Sequence, residues 1–581
     1  MQNSGSRAQG DTQPAPEQQA DPQTGAEALL RSLRRNGVTY LFSNSGTDFP
    51  PIIEAMARLD PESQPVPLLV PHETAGVAMA HGYYLMTGAP QAVMVHVNVG
   101  LANSVMGMIN AASDDIPVLM MSGRTPITET GREGCRATPI QYGQEMYDQS
   151  SLVRDVAKFT YEMRYPEQGD SLVTRALTLA ASVPAGPVYL SLPREPLGEV
   201  IPPTVPPAPA QVRAEPAAPD PAAIARLAEW ISAARAPLIL TQRGDTGGRS
   251  AAALARLADR HAIAVAEPFS IRNVMATDHP MFQGHDPKPA IAGADLIIVL
   301  DSGVPWIEAT HSPAPGVRVA HIGPDPLFRR MPVRGYRNDL AIVADPAAAL
   351  DALDAALGQP GPHTVARRAS LSARSADRRT AARAQAQDGA TSPMTAEWLS
   401  HCLSDIMDDR AVIFGELGVV PGAMRLKGPN RMFNNPHSGG LGWGLPAALG
   451  AQLADRDRLV IACIGDGSYM FANPVACHQI AEALRLPVLT IIKNNGMWNA
   501  VRRSVVNAYP GGAAARMNTM PLTSLEPAPD YLMVAAASRA HTERVTDGAD
   551  LPAALDRALR VIREERRQAV LDVAISVSDR H

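Results

Sequence analysis

The feature that most constrains this chain lies between residues 459 and 495. An apolar run, Leu459-Val460-Ile461-Ala462-Cys463-Ile464, ends in Gly465-Asp466-Gly467, and a second run, Leu486-Pro487-Val488-Leu489-Thr490-Ile491-Ile492, leads to Asn494-Asn495. Strand, tight glycine turn, helix, strand and amide pair make one right-handed βαβ unit. Both polar sets therefore leave the carboxyl ends of parallel strands, where open α/β sheets hold ligands. Glycines on either side of Asp466 let the backbone approach a phosphate and point N–H groups at it, and the following helix adds a positive N-terminus. Asp466 and Asn495 contribute hard oxygen donors of the kind Mg²⁺ uses when it bridges protein to a diphosphate. A lone Gly-Asp-Gly is more often an ordinary sheet turn; the spacing to the amide pair favours a ligand.

The same alternation of short apolar strands with amphipathic helices recurs in three blocks, over 25–195, 222–355 and 395–577. Strand candidates are Val93–Val97 and Val118–Met121 in the first block. In the second they are Pro237–Leu240, Leu296–Leu300 and Val317–Ile322; in the third, Val412–Phe414 and Val570–Ala574 join the two opening runs. A helix is expected over Asn103–Ser113. This pattern predicts an α/β protein of three doubly wound domains with parallel sheets covered on both faces. A Pro-rich stretch over 196–221 reads as a semi-rigid connector. The segment 356–394, rich in Ala, Arg and Gln, reads as a linker with some helix. Residues 1–24 are polar, Pro- and Gln-rich, lack an apolar core segment and read as a disordered tail, not a signal peptide.

Composition excludes several classes. A net charge of -6 gives no electrostatic reason to expect a nucleic acid or membrane partner. No apolar run reaches the length of a membrane span. The four cysteines, Cys135, Cys402, Cys463 and Cys477, lack metal-ligand spacing and read as reduced thiols, which suggests a cytoplasmic setting.

Pro71-His72-Glu73-Thr74-Ala75-Gly76 follows the strand-like run Val66–Val70, and Glu73 opens a helix of small residues. An isolated acid in a first helical turn is usually a dipole partner. Combined with the 465–495 unit it acquires another meaning, because the two together resemble the cofactor signature of thiamine-diphosphate enzymes. The resemblance covers essentially the whole chain from about residue 25 and points to the three-domain family that includes pyruvate decarboxylase, acetolactate synthase, benzaldehyde lyase and benzoylformate decarboxylase. It implies that Glu73 shares a proton with N1′ of the aminopyrimidine, from a position shielded from water. The first block would be the pyrimidine-binding domain, the third the diphosphate-binding domain, and the central one a domain without a cofactor site. Ser438-Gly439-Gly440-Leu441-Gly442-Trp443-Gly444 is similar to the family's glycine stretch. There Gly439 would accept from the 4′-amino group through its carbonyl, and Leu441 would wedge the cofactor into a bent shape. Gly465, Asp466, Gly467 and Ser468 would cradle the diphosphate. Asp466, Asn495 and the carbonyl of Met497 would hold Mg²⁺.

The resemblance also suggests a chemistry. His96 and His279 fall where benzoylformate decarboxylase has two active-site histidines, and Thr47, in Ser43-Asn44-Ser45-Gly46-Thr47-Asp48, where it has a pocket serine. Histidine suits proton transfer near neutrality. Best matched is non-oxidative decarboxylation of a 2-oxo acid; the alternative is an acetolactate-synthase-like transfer of the acyl unit to a second carbonyl. Gln144, Glu145 and Lys158 are similar to pocket residues of acetolactate synthases. Glu416-Leu417-Gly418-Val419-Val420 lacks the hydroxyl residues of benzoylformate decarboxylase. A short span, Gly284 to Ala294, takes the place of an FAD loop, so FAD is not expected. A non-catalytic member of the fold is the remote alternative, disfavoured by the intact Glu73, Asp466 and Asn495. The family's shared sites imply a homodimer or a dimer of dimers, with Glu73 from one chain meeting the Mg²⁺ ligands of another.

Overall fold

The computed structural model describes residues 23–578; the tail expected over 1–24 lies outside that range but for Gln23 and Thr24. Three parallel sheets with flanking helices make an α/β fold. The N-terminal sheet contains β1 (Tyr40–Asn44), β2 (Val66–Leu69), β3 (Gln91–Val95), β4 (Val118–Arg124), β5 (Thr160–Glu162) and β6 (Val188–Pro193), in the order β2-β1-β3-β4-β6-β5. The central sheet contains β7 (Pro237–Thr241), β8 (Ala264–Ala266), β9 (Leu296–Leu300), β10 (Arg318–Gly323) and β11 (Leu340–Val343), ordered β11-β10-β9-β7-β8. The C-terminal sheet contains β12 (Val412–Glu416), β13 (Met432–Asn434), β14 (Val460–Gly465), β15 (Leu489–Asn494), β16 (His541–Val545) and β17 (Ala569–Ala574), ordered β13-β12-β14-β15-β17-β16. Strands β3, β4, β6, β7, β9 and β12 are buried along almost their whole length, which explains why they read as continuous apolar runs and not as alternating ones.

In each sheet the winding reverses beside the first strand, and the crevice outside that reversal is where such folds take ligands. In the N-terminal sheet the reversal lies between β1 and β3, in the C-terminal sheet between β12 and β14. In the central sheet it lies between β7 and β9, where side chains cross the strand ends. Gln242 Nε2 donates to the carbonyls of Pro268 and Val304 at 3.0 and 2.5 Å. Phe328 and Met331 close over Gly303, and Arg243 and Arg334 stack on Phe328.

Four helices flank the two outer crevices, and a fifth runs along the central domain. Helix α1 (Glu73–Thr87) is buried all round from Glu73 to Tyr83 and stops at Gly88, whose φ of 71° closes it in the left-handed region. Helix α2 (Val97–Ser113) begins six residues earlier than the sequence suggests, directly at the end of β3. Helix α3 (Thr364–Gln387) occupies the segment expected as a linker, a 24-residue element. Its Ala and Arg content favours helix, while only Thr364, Leu371, Ser375 and Ala386 are buried. Helix α4 (Gly444–Ala454) is buried almost throughout, and the short α5 (Asp466–Phe471) follows β14.

Helices α1 and α4 join the terminal domains into one core that runs from Phe42, Val77 and Met79 to Phe414, Trp443 and Ile464. They touch backbone to backbone. A Cβ on Gly82 would sit 1.9 Å from the Ala447 carbonyl oxygen, and one on Gly450 would sit 2.0 Å from that of Met79. These pairings make the helices antiparallel. Glu73 and Gly444, the first residues of α1 and α4, lie on opposite sides of the contact, about 18 Å apart along the helices at 1.5 Å per residue.

Candidate active site

At the reversal of the N-terminal sheet, the ends of β1, β2 and β3 bring together Asn44, Glu73 and His96. Register pairs Asn44 with Val95, so the loops after β1 and β3 are neighbours. Glu73 is 7% exposed, and both carboxylate oxygens are held: Asn44 Nδ2 donates to Oε1 at 2.8 Å and Asn103 Nδ2 to Oε2 at 3.1 Å. Two amides thus aim one shielded carboxyl without neutralising it. His96 Nδ1 lies 2.5 Å from Asp48 Oδ1, and its Nε2 lies 3.1 Å from Gln144 Nε2. Asp48 is buried, and its Oδ2 also accepts the Val97 N–H at 3.1 Å. Val97 adopts φ 32°, a conformation that a β-branched residue rarely takes and that a dense local network must hold in place. The Asp48 hydrogen bond lifts the His96 pKa above the ordinary imidazole value, helped by the charges of Asp48 and Glu73 and opposed by burial.

The residue beside Asp48 behaves differently. Thr47 is exposed on the same turn. Glu145, next to Gln144, is tied to Arg124, Arg136 and Thr125, which fixes the loop that carries Gln144. Lys158 does not join this group: its Nζ donates to the carbonyls of Leu179, Ser182 and Pro184, each at 2.6 Å, and burial pushes its pKa down to about 8. Its likeness to a pocket lysine is therefore corrected; three carbonyls at the end of a helix consume its donors. His279 stands in the central domain. Its Nδ1 accepts from the Met281 N–H at 3.2 Å, its carbonyl accepts from Ser375 of α3, and the charges around it are Asp259, Asp278 and Arg368. Within one chain it is not brought to Glu73 or His96 by any contact among the described residues.

The second half of the site lies at the reversal of the C-terminal sheet. Asp466, 3% exposed, accepts from Gly467 N at 2.9 Å through Oδ1 and from Asn495 N and Gly496 N at 3.2 and 2.8 Å through Oδ2. β14 and β15 are adjacent, with Gly465 opposite Lys493, so Asp466 and Asn495 emerge side by side. The Asn495 side-chain oxygen accepts the Met497 N–H at 3.1 Å, which folds Met497 back towards the same place. Trp498 lies over Gly467, where a Cβ would come 2.2 Å from its ring. Burial raises the Asp466 pKa, while the N–H groups of Gly467, Gly496 and Asn495 pull it down. A buried carboxylate, an amide oxygen and a main-chain carbonyl form an all-oxygen set that suits a hard divalent ion. Among the described residues no group of three or more His, Cys, Asp or Glu is placed to hold a metal, as expected of a set with only one carboxylate.

Sequence reading passed over a key residue here. Glu416, at the end of β12, is 1% exposed; its Oε1 accepts from Gly442 N at 2.6 Å and its Oε2 from Gly444 N at 2.5 Å. Burial pushes this carboxyl up to about 7, while the hydrogen bonds from Gly444, Gly442 and Ser468 pull it down. The available signal was the glycine stretch itself, whose N–H groups need an acceptor. Gly439 takes φ 71°, and Leu441 is half-buried between Gly440 and Gly442.

Comparison with known proteins agrees with this arrangement. Family models match the chain in three places: the thiamine pyrophosphate enzyme N-terminal TPP binding domain over residues 23–152, the central domain over 224–353, and the C-terminal TPP binding domain over 415–573. Benzoylformate decarboxylase of Pseudomonas aeruginosa (strain PAO1) is 30% identical over 495 residues, covering 82% of this chain and 86% of that protein. The chain belongs to the thiamine-diphosphate-dependent enzyme family. Acetolactate synthase of Arthrospira platensis is 28% identical, covering 83% of each chain. Among solved structures, a benzoylformate decarboxylase from Polynucleobacter necessarius superposes with a TM-score of 0.77 at 21% identity, covering 96% of this chain and 99% of that one. The thiamine-diphosphate-dependent 4-hydroxybenzoylformate decarboxylase of Rhodococcus jostii RHA1 gives 0.75 at 23%, with 96% and 100% covered. These two likenesses concern the fold alone. Within this thiamine-diphosphate family the chain is of the decarboxylase and acetolactate synthase type.

Proposed function

We propose that the protein is a thiamine-diphosphate- and Mg²⁺-dependent lyase that removes CO₂ from a 2-oxo acid without oxidation. The observation that carries this reading is the Asp48–His96–Gln144 chain beside Glu73. Bound thiamine diphosphate supplies a nucleophilic carbon and an electron sink. The chain's own residues do the rest. Asn44 and Asn103 orient the Glu73 carboxyl toward the pyrimidine side; Asp466, Asn495 and the Met497 carbonyl would hold Mg²⁺; Gly439 and Leu441 would meet the aminopyrimidine and the fold of the cofactor. Asp48 keeps His96 protonated to higher pH than a free imidazole, so that Nε2 can hand a proton to a reacting centre near neutrality. Gln144 Nε2 is itself a donor, so it can bond to that nitrogen only once the proton has left, and otherwise turns to the substrate. With its hydrogen-bond partners all in the central domain or α3, His279 has a place in the reaction only if it enters the site of another chain.

An acetolactate-synthase-like transfer is the second reading, favoured by Gln144 at the pocket and disfavoured by the structural role of Lys158. Product analysis separates them. The purified protein is incubated with thiamine diphosphate, Mg²⁺ and a panel of 2-oxo acids that includes pyruvate and benzoylformate, and products are followed by mass spectrometry. Aldehyde that disappears in Glu73→Gln is the expected outcome. Acetohydroxy acid or acyloin as the main product would move the protein to the transferase class.

A further inference from the structure

We propose that Asn110 is a positioning residue that presets the Ser438–Gly440 turn from the opposite domain; this rests on the reading of that turn as the cofactor's seat. Asn110 lies near the C-terminal end of α2 and is 2% exposed. Its amide uses both ends. Oδ1 accepts from Ser438 Oγ at 2.6 Å and from Gly440 N at 3.2 Å, while Nδ2 donates to the Gly440 carbonyl at 2.9 Å. The side chain therefore takes the place of a β-strand partner for one residue of an irregular loop. It fits so closely that a Cβ on Gly440 would come within 2.5 Å of Oδ1.

The turn has little else to hold it. Its own backbone contributes one bond, from Gly439 N–H to the Pro436 carbonyl at 2.9 Å. Further along, Glu416 grips Gly442 and Gly444. The two clamps alternate with the residues that face outward. Ser438 and Gly440 are held by Asn110, Gly442 and Gly444 by Glu416, and the residues left between them, apart from the buried Trp443, are Gly439 and Leu441. Those are the two positions that would meet the cofactor. A preset turn spares the ordering cost that binding would otherwise meet. Only a side chain with both a donor and an acceptor at this length can serve, so an aspartate is a poor replacement: it would set a carboxylate oxygen against the Gly440 carbonyl.

Two measurements test this. Amide hydrogen exchange over residues 438–442 is compared in cofactor-free protein and its variants, and thiamine diphosphate binding is measured by calorimetry with Mg²⁺ present. Asn110→Ala is expected to speed exchange in that segment and weaken binding by roughly tenfold or more each, from the loss of three hydrogen bonds. Asn110→Asp should do nearly the same. Ser438→Ala, which removes one contact and no core volume, should shift both readouts in the same direction by less. At saturating cofactor, turnover should recover far more than affinity does. Exchange and affinity both within twofold of the unaltered protein in Asn110→Ala and Ser438→Ala would overturn the proposal. If the unaltered protein bound no thiamine diphosphate, the cofactor reading would fall, and the exchange comparison would still decide whether Asn110 orders the turn.

Discussion

Asp48 shows how one buried carboxylate can set the behaviour of a neighbouring imidazole. It binds His96 Nδ1 and the Val97 N–H with its two oxygens, so it fixes the ring's orientation and favours its charged form at once. Replacement by asparagine keeps the shape and removes the charge. The alkaline limb of the pH–rate profile should then move to lower pH, because His96 would lose its proton sooner, and kcat should fall by about 10–100-fold. Stability should respond with the same sign. A raised histidine pKa stabilises the fold below the ordinary imidazole value, and that contribution is lost as pH rises through the raised one. Denaturation midpoints of Asp48→Asn should therefore drop more at pH 6 than at pH 9. An unchanged pH profile would rule out the role given to Asp48. The resemblance pointed to the neighbouring Thr47 and passed over Asp48, because turn residues have no period from which to read facing. The fold turns Asp48 inward and leaves Thr47 outside. Glu73 and Asp466, by contrast, were legible because each follows a recognisable strand at a helix start.

At the level of elements, the antiparallel contact of α1 with α4 is what holds the terminal domains together. Small residues there read from sequence only as a helix poor in large side chains; that Gly82 faces a carbonyl of another domain is a tertiary fact. Gly82→Ala should destabilise the protein by about 3 kcal/mol, because a backbone carbonyl cannot step aside as a flexible side chain can. Gly361→Ala, where a Cβ meets nothing within 4 Å, should change stability by less than about 0.5 kcal/mol. Comparing the two by urea denaturation separates a close backbone approach from an open position, and equal effects would contradict the role given to that contact. Helix α3 was less legible. Its buried positions are too sparse to draw an apolar stripe, and its neighbours hold it through polar contacts instead. Arg367, for example, donates to the carbonyls of Ala262, His261 and Ala234 at 2.7, 2.6 and 3.1 Å.

For the whole molecule, the decisive geometry is that Glu73 and the glycine stretch stand on opposite sides of the α1–α4 crossing. Under the proposed function, Glu73 of one chain would then meet the Mg²⁺ ligands of another, in a homodimer or a dimer of dimers with shared sites. Glu73→Gln and Asp466→Ala should each be nearly inactive alone. Mixed under conditions where subunits exchange, they should recover up to about a quarter of the unaltered activity, the share expected when half-sites combine at random. No recovery despite proven exchange would argue against shared sites. Helix α2 gives this arrangement a further consequence. Its first turn adjoins His96, Asn103 reaches Glu73, and Asn110 grips the glycine turn about 10 Å further on. If each site takes its halves from different chains, one rigid rod is seated in two reaction chambers at once. A rocking of that rod which tightened one chamber would loosen the other, as the beam of a balance cannot lower both pans.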